Sequence, residues 1–147
     1  MTSEQRQLLT GMMNRIIPEQ GNMPGAGDLG LASFVEKAIS SDVVLRRQII
    51  EGLVETEIAA RKAAGVDFCG LDPDGQDSIL RAMESTKPIF FGELVRQTYS
   101  GYYTNYRVFQ SMDYAPPEPK PKGSPPELLD QKLLNKQRER VPFWRGA

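Results

Sequence analysis

Six of the chain's eleven prolines fall between Pro116 and Pro126, in the run Ala115-Pro116-Pro117-Glu118-Pro119-Lys120-Pro121-Lys122-Gly123-Ser124-Pro125-Pro126. Proline fixes φ and has no amide hydrogen to give to a helix or a sheet. A stretch this rich in it favours extended polyproline II and cannot join a packed helical core. The sequence therefore divides into a body over residues 1–114 and an arm over residues 115–147. Charge divides at the same place. From Ala115 onward seven basic and four acidic residues give the arm +3, which leaves −4 for the body within a total of −1.

Before that break, apolar residues recur three and four apart, the spacing of a helix with one buried face. Leu8, Leu9, Met12, Met13, Ile16 and Ile17 form the first stripe. Thr2 with Gln5 fits a capping box at its start, and Pro18 stops it. The Gly- and Pro-rich connection from Pro18 to Gly30 offers Asp28 as the next N-cap. Leu31, Phe34, Val35, Ala38 and Ile39 predict a short second helix over about Leu29–Ser40. Ser41 or Asp42 then caps a longer third helix whose Leu45, Ile49, Leu53 and Ile58 face the core, with Gly65 at its end. Asp72-Pro73 has the N-cap and N1-proline arrangement of a fourth helix that buries Ile79, Leu80 and Met83. A fifth begins near Pro88 and carries Phe90, Phe91, Leu94, Val95 and Thr98 to Gly101.

No run alternates apolar and polar residues between hairpin turns, so the expected fold class is all-α. At 147 residues the chain is long enough for one core and too short for two. The architecture expected is a compact bundle of about five helices with an extended Pro-rich C-terminal arm. That arm ends in a short helix over Glu127–Lys136, with Leu128, Leu129, Leu133 and Leu134 on one face, followed by Val141-Pro142-Phe143-Trp144-Arg145.

The chain contains no histidine. Histidine is the usual acid–base group near neutral pH and the commonest metal ligand. Its absence removes Ser-His-Asp and Cys-His nucleophile systems, the usual zinc sites, and haem attachment through C-x-x-C-H. Carboxylate, lysine or tyrosine chemistry is what remains. Cys69 is the single cysteine, so no internal disulfide forms. It reads either as a small apolar residue buried beside Phe68 or as one half of a disulfide to a partner. No stretch approaches the roughly 20 apolar residues that cross a bilayer, so no membrane insertion is expected. Met1-Thr2-Ser3-Glu4-Gln5 lacks the basic, apolar, small-residue order of a secretory signal. A cytoplasmic protein is expected, periplasmic only if a signal was removed or a partner carries the chain out.

Few residues offer chemistry. The run Gly21-Asn22-Met23-Pro24-Gly25-Ala26-Gly27-Asp28-Leu29-Gly30 leads into a helix, as phosphate loops do, but no strand precedes it and no Lys-Ser or Lys-Thr follows. A structural loop is the simpler reading. Asp72, Asp74 and Asp77 imitate part of a calcium loop, but the twelfth position is Met83 where a glutamate is required, so helix capping explains them. Glu51, Glu55 and Glu57 lie among Arg46, Arg47, Arg61 and Lys62, a solvated helix face with four-apart ion pairs such as Glu57–Arg61.

Tyrosine is the unusual feature. Four of the five tyrosines, Tyr99, Tyr102, Tyr103 and Tyr106, lie within eight residues. Tyrosine joins a broad apolar face to a polar tip and is enriched at interfaces. The cluster either packs the chain's own tail or faces a partner. In the arm, Leu129, Leu133, Phe143 and Trp144 are apolar groups beyond a proline spacer, suited to lying on another protein. The run Lys136-Gln137-Arg138-Glu139-Arg140 is too short and too mixed in sign to argue for nucleic acid.

Several short pieces, in order, resemble one family. They are Leu8-Leu9 through Arg15-Ile16-Ile17-Pro18, then Pro24-Gly25-Ala26-Gly27-Asp28 entering Phe34. Gly52-Leu53, Phe68, and Leu71 ahead of Gln76 and Leu80 follow. Phe90-Phe91-Gly92-Glu93-Leu94 and Thr98-Tyr99-Ser100-Gly101-Tyr102-Tyr103 complete the series. Over roughly Leu8 to Phe109 the chain resembles the gluconate 2-dehydrogenase subunit 3 family. The resemblance implies a small subunit that is not the catalyst and carries no cofactor. It implies association with a large flavin-dependent oxidoreductase of the glucose-methanol-choline type, which holds FAD and oxidises sugars or related alcohols, sometimes passing electrons to a haem subunit. Periplasmic members usually carry a twin-arginine signal and help export the flavoprotein; Met1–Gln7 leaves no room for one, which points to a cytoplasmic complex. The resemblance transfers no catalytic residue. The competing expectation is a free-standing helical adaptor whose proline-rich arm binds a regulatory protein, and a small enzyme using Tyr or Glu chemistry is the remaining one.

Overall fold

The computed structural model describes residues 1–117 and 121. Within Met1–Pro116, one compact unit, six helices follow one another: α1 (Ser3–Ile16), α2 (Ala32–Ser41), α3 (Val43–Ala64), α4 (Pro73–Thr86), α5 (Pro88–Tyr102) and α6 (Tyr106–Ser111). Short 3-10 turns at Gly27–Leu29 and Phe68–Gly70 interrupt the connections. No strand forms among the described residues. A single antiparallel bridge between Gln20 and Met23 closes the turn after α1.

Four of the six helices, α1, α3, α4 and α6, start where a side chain satisfies a free amide of the first turn. Thr2 and Gln5 form the reciprocal capping box of α1. The Asp42 carboxylate accepts from the Leu45 amide at 2.9 Å to start α3, and Asp72 accepts from Gly75 at 2.8 Å to start α4 ahead of Pro73. Gly65 ends α3 at φ 74°, the left-handed region that only glycine enters without steric cost.

The 22-residue α3 is the central element, packed against α1, α2, α4 and α5. Leu45, Ile49, Leu53 and Ala60 of α3 close the core with Leu9, Met12 and Met13 of α1, Val35 of α2, Phe68, and Leu94 of α5. The approach of α5 depends on Gly52, because a β-carbon there would lie 2.0 Å from the Phe90 ring. Gly27 does the same for the first loop, where a β-carbon would lie 2.3 Å from the Thr10 carbonyl. Its amide donates to Asn14 Oδ1 at 2.7 Å, and the Ala26 amide donates to the Ile17 carbonyl at 2.9 Å. The glycine-rich stretch thus folds back on the end of α1 as a structural loop.

Several expectations are corrected. The second helix starts at Ala32, because Gly30 at φ 69° breaks the chain's direction after the 3-10 turn. Asp28 accepts from Asn14 Nδ2 at 3.1 Å and caps nothing; α2 has no side-chain cap. Ile58 does not face the core. It follows Ile49 by nine residues, about half a turn out of phase at ~3.6 residues per turn, and Thr56 and Ala60 take the buried positions. Phe34, expected on the buried stripe of α2, is partly exposed, and Cys69 is exposed beside a buried Phe68. Of the three aspartates read as caps, Asp77 instead receives both Nε and Nη2 of Arg15 at 2.8 Å, joining α4 to α1. The sixth helix was not expected at all. Asn105 caps it by accepting from the Arg107 amide at 3.0 Å, and Val108 anchors it in the core.

Candidate partner interface

Helix α5 ends inside the tyrosine cluster, and helical phase decides which rings turn inward. Phe90, Leu94, Thr98, Gly101 and Tyr102 share the buried face. Tyr102 follows Thr98 by four residues and Leu94 by eight, so the three lie along one face of the helix. Its ring is 1% exposed, and its hydroxyl donates to the Pro24 carbonyl at 2.9 Å. Burial, with a smaller contribution from Tyr103, pushes the Tyr102 phenol above its ordinary pKa. Tyr102 ties the first loop to α5 from within. It offers no surface to a partner, which corrects its inclusion among the partner-facing residues.

The other three rings lie outside. Tyr99, Tyr103 and Tyr106 are 45%, 49% and 67% exposed. Tyr99 and Tyr103, four apart on the helix, stack with centroids 6.0 Å apart and planes 24° from parallel. Tyr103 meets the edge of Tyr102 at 5.3 Å, so the inner ring buttresses the outer pair. A turn at Thr104 and the Asn105 cap then redirect the chain, and Tyr106 opens α6. Farther along, Tyr114 packs edge-on against Phe109 at 5.5 Å and remains half-exposed, as does Met112.

Phe34, which periodicity assigned to the buried stripe of α2, and Arg96 of α5 adjoin this surface. Gly101 has no side chain, and a β-carbon there would meet Phe34 at 3.1 Å and Leu31 at 3.3 Å. The α2 helix therefore lies close against the end of α5 and brings the exposed part of Phe34 beside it. Arg96, one turn before Tyr99, pairs with Glu93, which also accepts from Gln97 Nε2 at 2.9 Å. The hydrogen bond from Arg96 holds the Glu93 carboxyl below its usual pKa, and Asp42 is near enough to act on both groups. The packing of Phe34 over a glycine is not legible in the sequence, because the two residues lie on different helices.

Chemically, this surface offers rigid aromatic area with hydroxyl tips and a charged margin. Tyrosine loses little conformational entropy on being fixed, since it has only two side-chain torsions. Among the described residues, no three His, Cys, Asp or Glu side chains are placed to share a metal ion, and no helix is long and apolar enough to cross a membrane. Leu129, Leu133, Phe143 and Trp144, the arm residues read as partner-binding, lie outside the described residues.

Residues 3–116 match the family model described as Gluconate 2-dehydrogenase subunit 3. Comparisons with curated proteins and with solved structures gave no match.

Proposed function

Because the chain belongs to the gluconate 2-dehydrogenase subunit 3 family, we propose that it is a non-catalytic small subunit that binds and stabilises a large FAD-dependent sugar or alcohol oxidoreductase. The flavin sits on that partner, and the chemistry of substrate oxidation belongs there. The observation that carries this reading is the exposure of Tyr99, Tyr103 and Tyr106 at one helix end, with Tyr103 packed on the buried Tyr102 and Tyr99 stacked on Tyr103. Stacked and braced from behind, the Tyr99–Tyr103 pair is pre-ordered for contact, which reduces the entropy lost on association. A monomeric protein gains nothing by leaving three large rings in water at one helix end.

The family match covers the helical body, which supports the body as the docking unit. The arm, beyond the match, extends the contact. Coexpression with a neighbouring flavoprotein tests the proposal. The two chains are expected to copurify, with flavin on the larger one alone, and a triple Tyr99→Ala, Tyr103→Ala, Tyr106→Ala variant is expected to fold but to release the flavoprotein. A wild-type chain that elutes as a monomer beside the flavoprotein would sink it.

A further inference from the structure

At the N-terminal end of α1, away from the loop that Tyr102 anchors, the body carries a groove of about 450 Å³ between α1, α3 and the Phe68–Gly70 turn. Leu8, Val54 and Ile58 give it an apolar floor. Val54 and Ile58 are four apart on α3, on the side turned away from the core, and are 47% and 59% exposed. The solvent side of a central helix is normally polar. Here two aliphatic residues line a concavity instead.

The rim is acidic. Glu57 is paired with Arg61 at 3.1 Å, which leaves Glu4 and Asp67 as carboxylates without an ion pair among the described residues. Asp67 accepts from the Gly70 amide at 2.7 Å, which fixes it at the groove's edge. We infer that this groove docks an amphipathic segment of the large subunit, one that carries a short apolar row flanked by lysine or arginine. The inference rests on the small-subunit reading above and adds to it a second contact surface, distinct from the tyrosine row. Charge complementarity selects the occupant: an acidic segment would bring like charges to Glu4 and Asp67, and a purely apolar one would leave them desolvated and unpaired. Two or three aliphatic side chains fill the floor, and basic side chains reach the rim.

Cys69 lines the same groove and is exposed, so the chain carries its own reporter. Partial burial of the sulfur, which lies 3.8 Å from the Gln7 carbonyl oxygen, together with the nearby Asp67 and Glu57 carboxylates, pushes its thiol pKa up, so it alkylates slowly and measurably at mildly alkaline pH. The experiment follows N-ethylmaleimide labelling of Cys69 in the free full-length chain and in its purified complex with the flavoprotein. Occupation of the groove is expected to slow labelling about tenfold or more, as burial of an exposed thiol requires. Ile58→Glu is expected to raise the Kd about tenfold, the size of one lost anchor. Glu4→Lys, at an exposed site outside any cap, is expected to weaken binding and to flatten its salt dependence. A complex that forms while Cys69 labels at the free-chain rate and Ile58→Glu binds normally overturns the groove and leaves the small-subunit reading standing. Protection in the free chain that grows with its own concentration assigns the groove to a second copy and overturns it too. Absence of any complex removes both.

Discussion

Replacing Gly52 by alanine opposes two effects of known size. In a helix interior, Gly→Ala normally stabilises by about 0.5–1 kcal/mol through backbone entropy. At position 52 the new β-carbon would lie 2.0 Å from Cδ2 and 2.2 Å from Cγ of Phe90, a ring that is itself buried. Ordinary carbon contacts are about 3.5–4.0 Å. Because Cγ sits next to the backbone, rotating the ring does not clear the overlap, and α5 has to move away from α3. Overpacking of this kind costs about 1–3 kcal/mol, at the upper end when backbone must shift. The net expectation is a loss of about 2 kcal/mol, which in a body of this size lowers Tm by roughly 6–12 °C. Urea and thermal unfolding of the wild type, G52A, F90A and the double variant measure it. F90A alone is expected to cost about 3–5 kcal/mol through its cavity. The double variant is expected to cost less than the sum of the two, with a coupling of about 1–2 kcal/mol. An unchanged or raised Tm for G52A, or strict additivity with F90A, would refute the claim that this glycine sets the α3–α5 distance.

The tyrosine cluster predicts a split between stability and binding. Tyr102→Phe removes the donor to the Pro24 carbonyl and is expected to cost about 1 kcal/mol of stability, read as a lower urea midpoint. Tyr103→Ala is expected to change stability by less, at its half-exposed site, and to weaken the flavoprotein complex about tenfold in a pull-down or titration. Acid is expected to loosen the α1–α4 contact only below the usual carboxylate range. The Arg15 hydrogen bonds hold Asp77 below the usual carboxylate pKa, as Arg96 does for Glu93. A carboxyl depressed in the native state contributes stability that is full above its unfolded pKa, about 4, and is lost as pH falls through the lower native value. Asp77→Asn is therefore expected to lower stability at neutral pH and to shrink the further loss between about pH 4 and 2. Equal acid sensitivity in the two proteins would show that the pair contributes nothing.

Much of the helical body is legible in the sequence because caps and stripes are local. The Thr2–Gln5 box, Asp42, Asp72-Pro73 and Gly65 each satisfy or terminate a helix using atoms a few residues away, and no distant partner alters that. The same locality explains the misjudged Ile58. Its hydrophobicity suggested the core, but its phase relative to Ile49 places it on the far side, and phase was already present in the spacing. Tyr102 was legible in the same way, four residues beyond Thr98 and eight beyond Leu94 on the buried face, yet as one of four neighbouring tyrosines it was grouped with Tyr99, Tyr103 and Tyr106. Helix α6 escaped because six residues with one buried valine carry almost no periodic signal.

The candidate interface was located in sequence only as a concentration of one residue type. Its outward and inward rings, its bracing by Tyr102 and its extension to Phe34 depend on how α2 meets α5. The groove beside Cys69 had no sequence signature, since its floor comes from α1 and α3 and its rim from α1, α3 and the turn after α3.

By itself, then, the sequence determined the all-α class, the positions of most helix ends and the family. All of these follow from hydrogen bonds and spacings within one turn of chain, or from the order of short motifs. Only the tertiary structure decided which exposed groups share a surface. Gly27, Gly52 and Gly101 are each a point where the absence of one carbon lets another part of the chain approach. What that carbon would have met lies across the fold and is not written beside it in the sequence.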